Sequence, residues 1–199
     1  CEIIAVAQDT GGKQAAAKFY EAAHTTHPAL IDVTHHVSSL YELVNVPTAI
    51  WIDETGRIVR RSEGAYTKEY QLGPMKFGTN ELVPAIRDWV EKGEDSIYVQ
   101  ALDQWAQQFA VRSAQHSQAE ANFRLGVYFH EQGDEPLANR YWERAQQLHP
   151  ESWNYHRQDW SFTPAEANRN WFQKFQALDG KPYYLPLDLP KPQNETSEE

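Results

Sequence analysis

The sequence predicts an α/β part followed by an all-α part, and three observations carry that division. Across residues 1–92, short apolar, β-branched runs alternate with segments of helical spacing. Their order is strand–helix–strand–helix–proline–strand–turn–strand–helix. After Gly93 the β-branched runs disappear, and five of the seven tryptophans lie beyond residue 100. The chain then becomes proline-punctuated at Pro182, Pro186, Pro190 and Pro192 and ends in a polar, acidic stretch from Asn194 to Glu199. The domain organisation expected from this is an α/β domain over 1–95, a helical domain over 96–180, and a tail over 181–199 that is extended and then disordered.

Residues 2–7, with Ile3, Ile4 and Val6, form a short apolar run that ends at Gln8-Asp9 and reads as a buried parallel strand. Asp9-Thr10-Gly11-Gly12 breaks it. Ala16, Phe19, Tyr20 and Ala23 then recur at helical spacing within 13–24. Residues 29–33 form a second short strand, and a helix of about two turns around 38–44 leads to Pro47. Residues 49–53 and 57–60 are strands joined by the turn Glu54-Thr55-Gly56. Arg60 and Arg61 read as edge charges that discourage strand-to-strand association. Residues 80–92 make a helix with Asn80 as N-cap, a stripe of Leu82, Val83, Ile86, Trp89 and Val90, and Gly93 at its end.

In the second part, Leu102, Trp105, Ala106, Phe109 and Ala110 follow a one-face helical spacing. Thr163-Pro164-Ala165-Glu166 reads as a capping box with proline at the first helical position. Ala167, Trp171, Phe175 and Leu178 mark the buried face of that helix, and Gly180 closes it.

Hydrophobic residues make up 41% of the chain, enough for a packed core. The net charge of −10, from 28 acidic and 18 basic residues, disfavours a broad phosphate-binding surface, so no nucleic-acid partner is expected. No apolar run approaches the roughly 18 residues that cross a bilayer, so no membrane span is expected. Cys1-Glu2-Ile3-Ile4 lacks the basic start and cleavage site of a secretory leader. The residues straight after Cys1 look like a core strand and not a lipid tether. A lone cysteine excludes an internal disulfide and assigns no redox compartment. Cys1 reads as a small apolar residue entering that strand.

His24 and His27, three apart, straddle a helix end. The neighbours His35 and His36 cannot face the same way. All four read as surface or capping histidines, and no metal is expected. Gly11-Gly12 lacks the third glycine and the lysine of a phosphate cradle, and no cofactor is expected.

The run Leu40-Tyr41-Glu42-Leu43, Val46-Pro47-Thr48, Ala49-Ile50-Trp51-Ile52-Asp53, Glu54-Thr55-Gly56 and Arg57-Ile58-Val59-Arg60 resembles the cis-proline loop and C-terminal hairpin of thioredoxin-like proteins. The likeness is greatest to TlpA/ResA-like thiol–disulfide oxidoreductases and their peroxiredoxin relatives, and it covers about residues 1–92. It implies a thioredoxin-like fold, a thiol or disulfide protein partner, and exchange through a mixed disulfide. It also implies a bacterial, extracytoplasmic setting. Val46, Pro47 and Thr48 would be the substrate-binding residues, with the Val46 backbone offered for strand-like pairing. The family's Cys-x-x-Cys is absent, so no catalytic residue is assigned and the chain is expected to be redox-inactive as it stands. The family's first strand would lie between the strands at 2–7 and 49–53. The chain is therefore expected to be N-terminally incomplete relative to the family, or to pair those two strands directly.

Leu125-Gly126, Phe129, Gly133, Ala138, Trp142, Ala145 and Pro150 resemble one tetratricopeptide repeat over 119–152. Gly126, Ala138 and Ala145 would let two antiparallel helices approach, with Phe129 and Trp142 filling the gap. Asn122 departs from the pattern, standing where a large residue is usual. This resemblance implies a peptide-binding module, with Tyr128, Arg140 and Tyr141 as candidate protein-interaction residues. Two functions follow: a thiol–disulfide oxidoreductase segment whose cysteines are not in this chain, or a redox-dead scaffold carrying an interaction module.

Overall fold

The computed structural model describes residues 1–72, 75–101, 103–104, 112–185 and 187–191. The helix expected from Leu102, Trp105, Ala106, Phe109 and Ala110 lies outside the described residues, as does the tail from 192 onward. The protein is mixed α/β. Its elements are β1 (Ala5–Gln8), α1 (Gly12–Ala23), β2 (Ala29–Asp32), α2 (His36–Leu40), β3 (Thr48–Ile52), β4 (Ile58–Glu63), β5 (Tyr70–Leu72), β6 (Met75–Phe77) and α3 (Leu82–Lys92). A 3-10 turn (Gly93–Asp95), α4 (Ala114–Glu131), α5 (Glu135–Leu148), α6 (Trp153–Phe162) and α7 (Pro164–Gln176) follow. Among the described residues no helix is long and apolar enough to cross a membrane.

The chain forms two compact units, Cys1–Val44 with Ala110–Lys181, and Asn45–Phe109 with Pro182–Glu199. Each unit is discontinuous and draws on both halves of the sequence.

In the first unit β1 and β2 pair in parallel, Ala5 opposite Ala29 through Gln8 opposite Asp32. β1 starts three residues later than residues 2–7 suggest, and Ile3 and Ile4 stand exposed before it. α1 ends at His24, which takes a left-handed conformation as C-cap. α2 begins and ends earlier than expected, and at its start the Asp32 carboxylate accepts the backbone N–H groups of His36 (2.9 Å) and Val37 (2.7 Å). That is a helix start supplied by a strand-end side chain, satisfying donors that would otherwise be orphaned.

α4 and α5 form an antiparallel hairpin around Phe123, Val127, Ala138, Trp142 and Ala145. Ser113 caps α4 by accepting from His116 N–H, and Asp134 caps α5 by accepting from Leu137 N–H. Gly133, at φ 77°, makes the turn between them, a conformation that favours glycine. Gly126 faces the Trp142 indole so closely that a Cβ there would overlap the ring.

α6 has no counterpart among the elements expected from sequence. In α7 the capping box is not formed. The Thr163 side chain makes no cap bond, and the Glu166 carboxylate turns to Arg169 at 3.4 Å.

In the second unit β3 and β4 pair antiparallel, Thr48 opposite Glu63. β5 and β6 add a small hairpin that the sequence reading did not contain. Among the described residues β1 is paired with β2 and β3 with β4, and the direct pairing of residues 2–7 with 49–53 is not among these ladders. The core holds Trp51, Val59, Leu82, Ala85 and Tyr98, with Trp51 stacked on Trp89 at 5.3 Å. The N-cap of α3 is Glu81, not Asn80; Asn80 instead accepts from Glu69 N–H through Oδ1. Gly93 ends the helix at φ 58°. At the β3–β4 turn, Asp53 accepts from Thr55 and Arg57. The Thr55 hydroxyl, then the Arg57 amide, hold its carboxyl down at about 2.

The arginine pair departs most from expectation. Arg60 is 2% exposed and Arg61 6%. Arg60 donates to the carbonyls of Tyr98 (2.8 Å) and Asp188, and Arg61 meets Glu63 at 2.6 Å in a buried ion pair. The proline-punctuated segment is also engaged: Leu187 and Leu189 pack against the core of this unit.

Candidate functional site

Each unit carries candidate surfaces built from its own residues. In the second unit, the loop Val46-Pro47-Thr48 precedes β3, and the Val46–Pro47 peptide is cis. Asn45, 1% exposed, organises it. Its Oδ1 accepts from Val46 N–H (3.0 Å), and its carbonyl accepts from the Thr48 hydroxyl (2.9 Å). The Tyr184 hydroxyl donates to the Val46 carbonyl at 2.7 Å and lies 3.2 Å from the Tyr66 hydroxyl. Pro47 C=O accepts from Ala65 N–H.

Both backbone groups of Val46 are therefore used within the chain, and Tyr184 covers the carbonyl that a substrate strand would need. Asn45 and Tyr184 were not expected at this loop. Tyr184 lies 138 residues from Val46 in sequence, and no local pattern links them. The sole cysteine, Cys1, is exposed and belongs to the first unit. Thiol–disulfide exchange that forms an internal disulfide has no second thiol in this sequence.

In the first unit, the outer face of the α4–α5 hairpin carries a groove of about 340 Å³ lined by Asn122, Arg140, Tyr141, Glu143, Arg144 and Gln147. Tyr141 is held rigidly, its ring parallel to Phe129 at 5.4 Å and 3°. Arg140 and Arg144 are exposed, one helical turn apart. Asn122 spends its Nδ2 on the Gln118 carbonyl (2.7 Å).

Of the three interaction residues expected from sequence, the fold brings Arg140 and Tyr141 together. Tyr128, 53% exposed, does not line the groove and sets its ring edge-on against Phe129. Asn122, Glu143, Arg144 and Gln147 were missed. The signal for Arg144 was present, since it follows Arg140 by four residues on a helix.

A smaller polar cavity of about 30 Å³ lies in the same unit among His35, Ser38, Glu42, Arg112, Glu120 and His149. That is room for about one water molecule. Arg112 is held there by Glu42 (2.6 Å) and Glu120 (2.8 Å), and Glu120 also binds Arg124 (2.6 Å).

His116 and His149 stack at 4.0 Å and 12°. Burial, followed by the His116 charge, pushes His149 down to about 4. His35 is not a surface residue. It is buried between Gln8 (2.6 Å) and Gln158 (2.9 Å), and burial lowers its pKa. Among the described residues no group of three His, Cys, Asp or Glu side chains is placed to hold a metal ion.

No family model, no curated protein and no solved structure matches this chain.

Proposed function

We propose that this chain works by binding and not by thiol chemistry. It is a redox-inactive scaffold whose α4–α5 hairpin docks peptide segments. The observation that carries this reading is the groove at Arg140, Tyr141 and Arg144, where two exposed guanidinium groups flank an aromatic ring fixed by stacking. Arg and Tyr are enriched at protein-binding hot spots: Tyr offers a large contact area at low entropic cost, and Arg a planar fork of hydrogen-bond donors. The small-residue packing at Gly126, Ala138 and Ala145 keeps the two helices close, so the face is rigid before any partner arrives. The tetratricopeptide-like pattern read in the sequence agrees with this use.

A peptide array probed with the full chain tests the reading. A subset of peptides should be retained by the wild type and lost when Arg140 or Tyr141 is changed to alanine. Retention of the same peptides by both variants would contradict it.

A second reading is favoured by one observation, the order α2–loop–β3–turn–β4 around Val46-Pro47-Thr48. On that reading the chain is the back part of a TlpA/ResA-like thiol–disulfide oxidoreductase, and a thiol from elsewhere works at this loop. Tyr184 would have to leave the Val46 carbonyl for a substrate strand to pair there. Tyr184→Phe removes that hydroxyl and should raise binding of a disulfide-containing peptide if the loop is a substrate site.

A further inference from the structure

We propose that the α4–α5 face selects carboxylate-rich peptide segments, with Arg140 and Arg144 as the paired cations that receive the carboxylates. This rests on the docking reading above and names the chemistry of the partner.

The charge state of the groove comes first. Among the described residues Arg57, Arg61, Arg112, Arg124 and Arg169 each lie against a carboxylate. Arg140 and Arg144 have no such partner among the described residues, and Arg144 makes only a 3.5 Å contact with the Gln147 side chain. The chain carries 28 acidic residues and a net charge of −10. Two neighbouring arginines without an acid focus positive potential locally. Glu143 is the groove's one acidic residue, so the lining stays net positive.

Geometry then suits the two arginines to oxyanions. A guanidinium presents parallel N–H donors whose spacing matches a carboxylate, and a second one a helical turn away suits acids spaced along an extended peptide. Leu125 lies three residues after Asn122 on the same face of α4 and is exposed, offering a contact for an apolar side chain beside the acids.

The test uses the full 199-residue chain and fluorescence anisotropy. The probes are three hexapeptides with the same N-terminal label: Glu-Glu-Leu-Glu-Glu-Leu, its all-glutamine form and its all-lysine form. A labelled oligothymidylate is the fourth probe. The glutamate peptide should bind best, and added salt should weaken it. R140E/R144E should weaken it by about tenfold, R140K/R144K less, and R169E on α7 not at all. Circular dichroism of each variant checks that the helices are intact.

Equal binding of the glutamine and glutamate peptides, untouched by R140E/R144E, would overturn the carboxylate assignment while docking stood. Oligothymidylate binding that is lost in R140E/R144E would overturn it in favour of nucleic acid. No binding by any probe would count against both this inference and the docking reading.

Discussion

Arg61 and Glu63 show how much a buried charge depends on its partner. They alternate along β4, so they share a face and meet at 2.6 Å, with both side chains almost wholly buried. Glu63 also accepts from Leu185 N–H at 3.2 Å. Removing Glu63 strips the buried Arg61 guanidinium of its carboxylate, which costs about 3–5 kcal/mol. Glu63→Ala should therefore lower the unfolding free energy by about 3 kcal/mol in a urea melt. The double variant Arg61→Met/Glu63→Leu should recover most of it, and a single-variant change near zero would contradict the pairing. In sequence, Arg60-Arg61 looks like an exposed edge. Its burial depends on the Tyr98 and Asp188 carbonyls, 38 and 128 residues away from Arg60, which no local window contains.

Histidines carry the pH response. Burial, followed by the Lys174 charge, holds His156 at about 4; His149 sits at about 4 and His35 is lowered in the same direction. Their folded pKa values lie below the ordinary 6.5, so below that pH the unfolded chain binds protons that the folded chain refuses. Their stabilising contribution is full above pH 6.5 and is lost as the pH falls toward 4. Asp159 works the other way, because burial raises its carboxyl and protonation relieves it. His149 also faces His116, Glu151 and Arg112. The melting temperature should fall on going from pH 7 to pH 4.5, and His149→Asn should flatten that slope. An unchanged slope would show that His149 is not the source.

At the scale of elements, the α4–α5 hairpin rests on one close approach. Alanine is the better helix former by about 1 kcal/mol, so helix propensity alone would make Gly126→Ala stabilising. The Trp142 ring, 1% exposed, fills the space that the new methyl would need. Overpacking costs about 1–3 kcal/mol, and packing outweighs propensity. Gly126→Ala should therefore destabilise the protein, measurable as a lower midpoint in denaturant; a higher midpoint would show that the hairpin can open to admit the methyl.

This hairpin was legible in sequence because glycine, alanine and aromatic residues recur at one period. β5–β6 and α6 were not. β5 and β6 are three residues each, shorter than any periodic signal. α6, over Trp153–Phe162, has apolar and polar residues mixed around its circumference, and it buries Asn154 and Gln158 beside Trp153. Their partners are distant in sequence: Asn154 Nδ2 donates to Leu43 C=O, and Gln158 Oε1 accepts from Thr10 N–H.

At the scale of the whole molecule, the chain's two compact units are each assembled from two separate stretches of the sequence. For the second unit this has a direct consequence. The 182–191 segment places Tyr184 on Val46, Leu187 and Leu189 on the core, and the Asp188 carbonyl on Arg60. A chain ending at residue 181 should lose hydrogen-exchange protection in β3 and β4, while α4 and α5 keep theirs. Equal protection in the shortened chain would show that the segment is dispensable. From sequence, the prolines of this segment signal only an extended conformation; its leucines and Tyr184 find their partners through tertiary packing.

Binding at the α4–α5 groove and thiol chemistry at the Val46 loop make different demands, and they are separable in one experiment. Amide chemical-shift mapping of the 15N-labelled chain, titrated with the glutamate hexapeptide, tests the central claim most directly. The account expects shifts concentrated at Asn122 and across 140–147, with Val46, Thr48 and Tyr184 undisturbed. Shifts concentrated at Val46, Thr48 and Tyr184 would contradict it and point to the proline loop as the working surface.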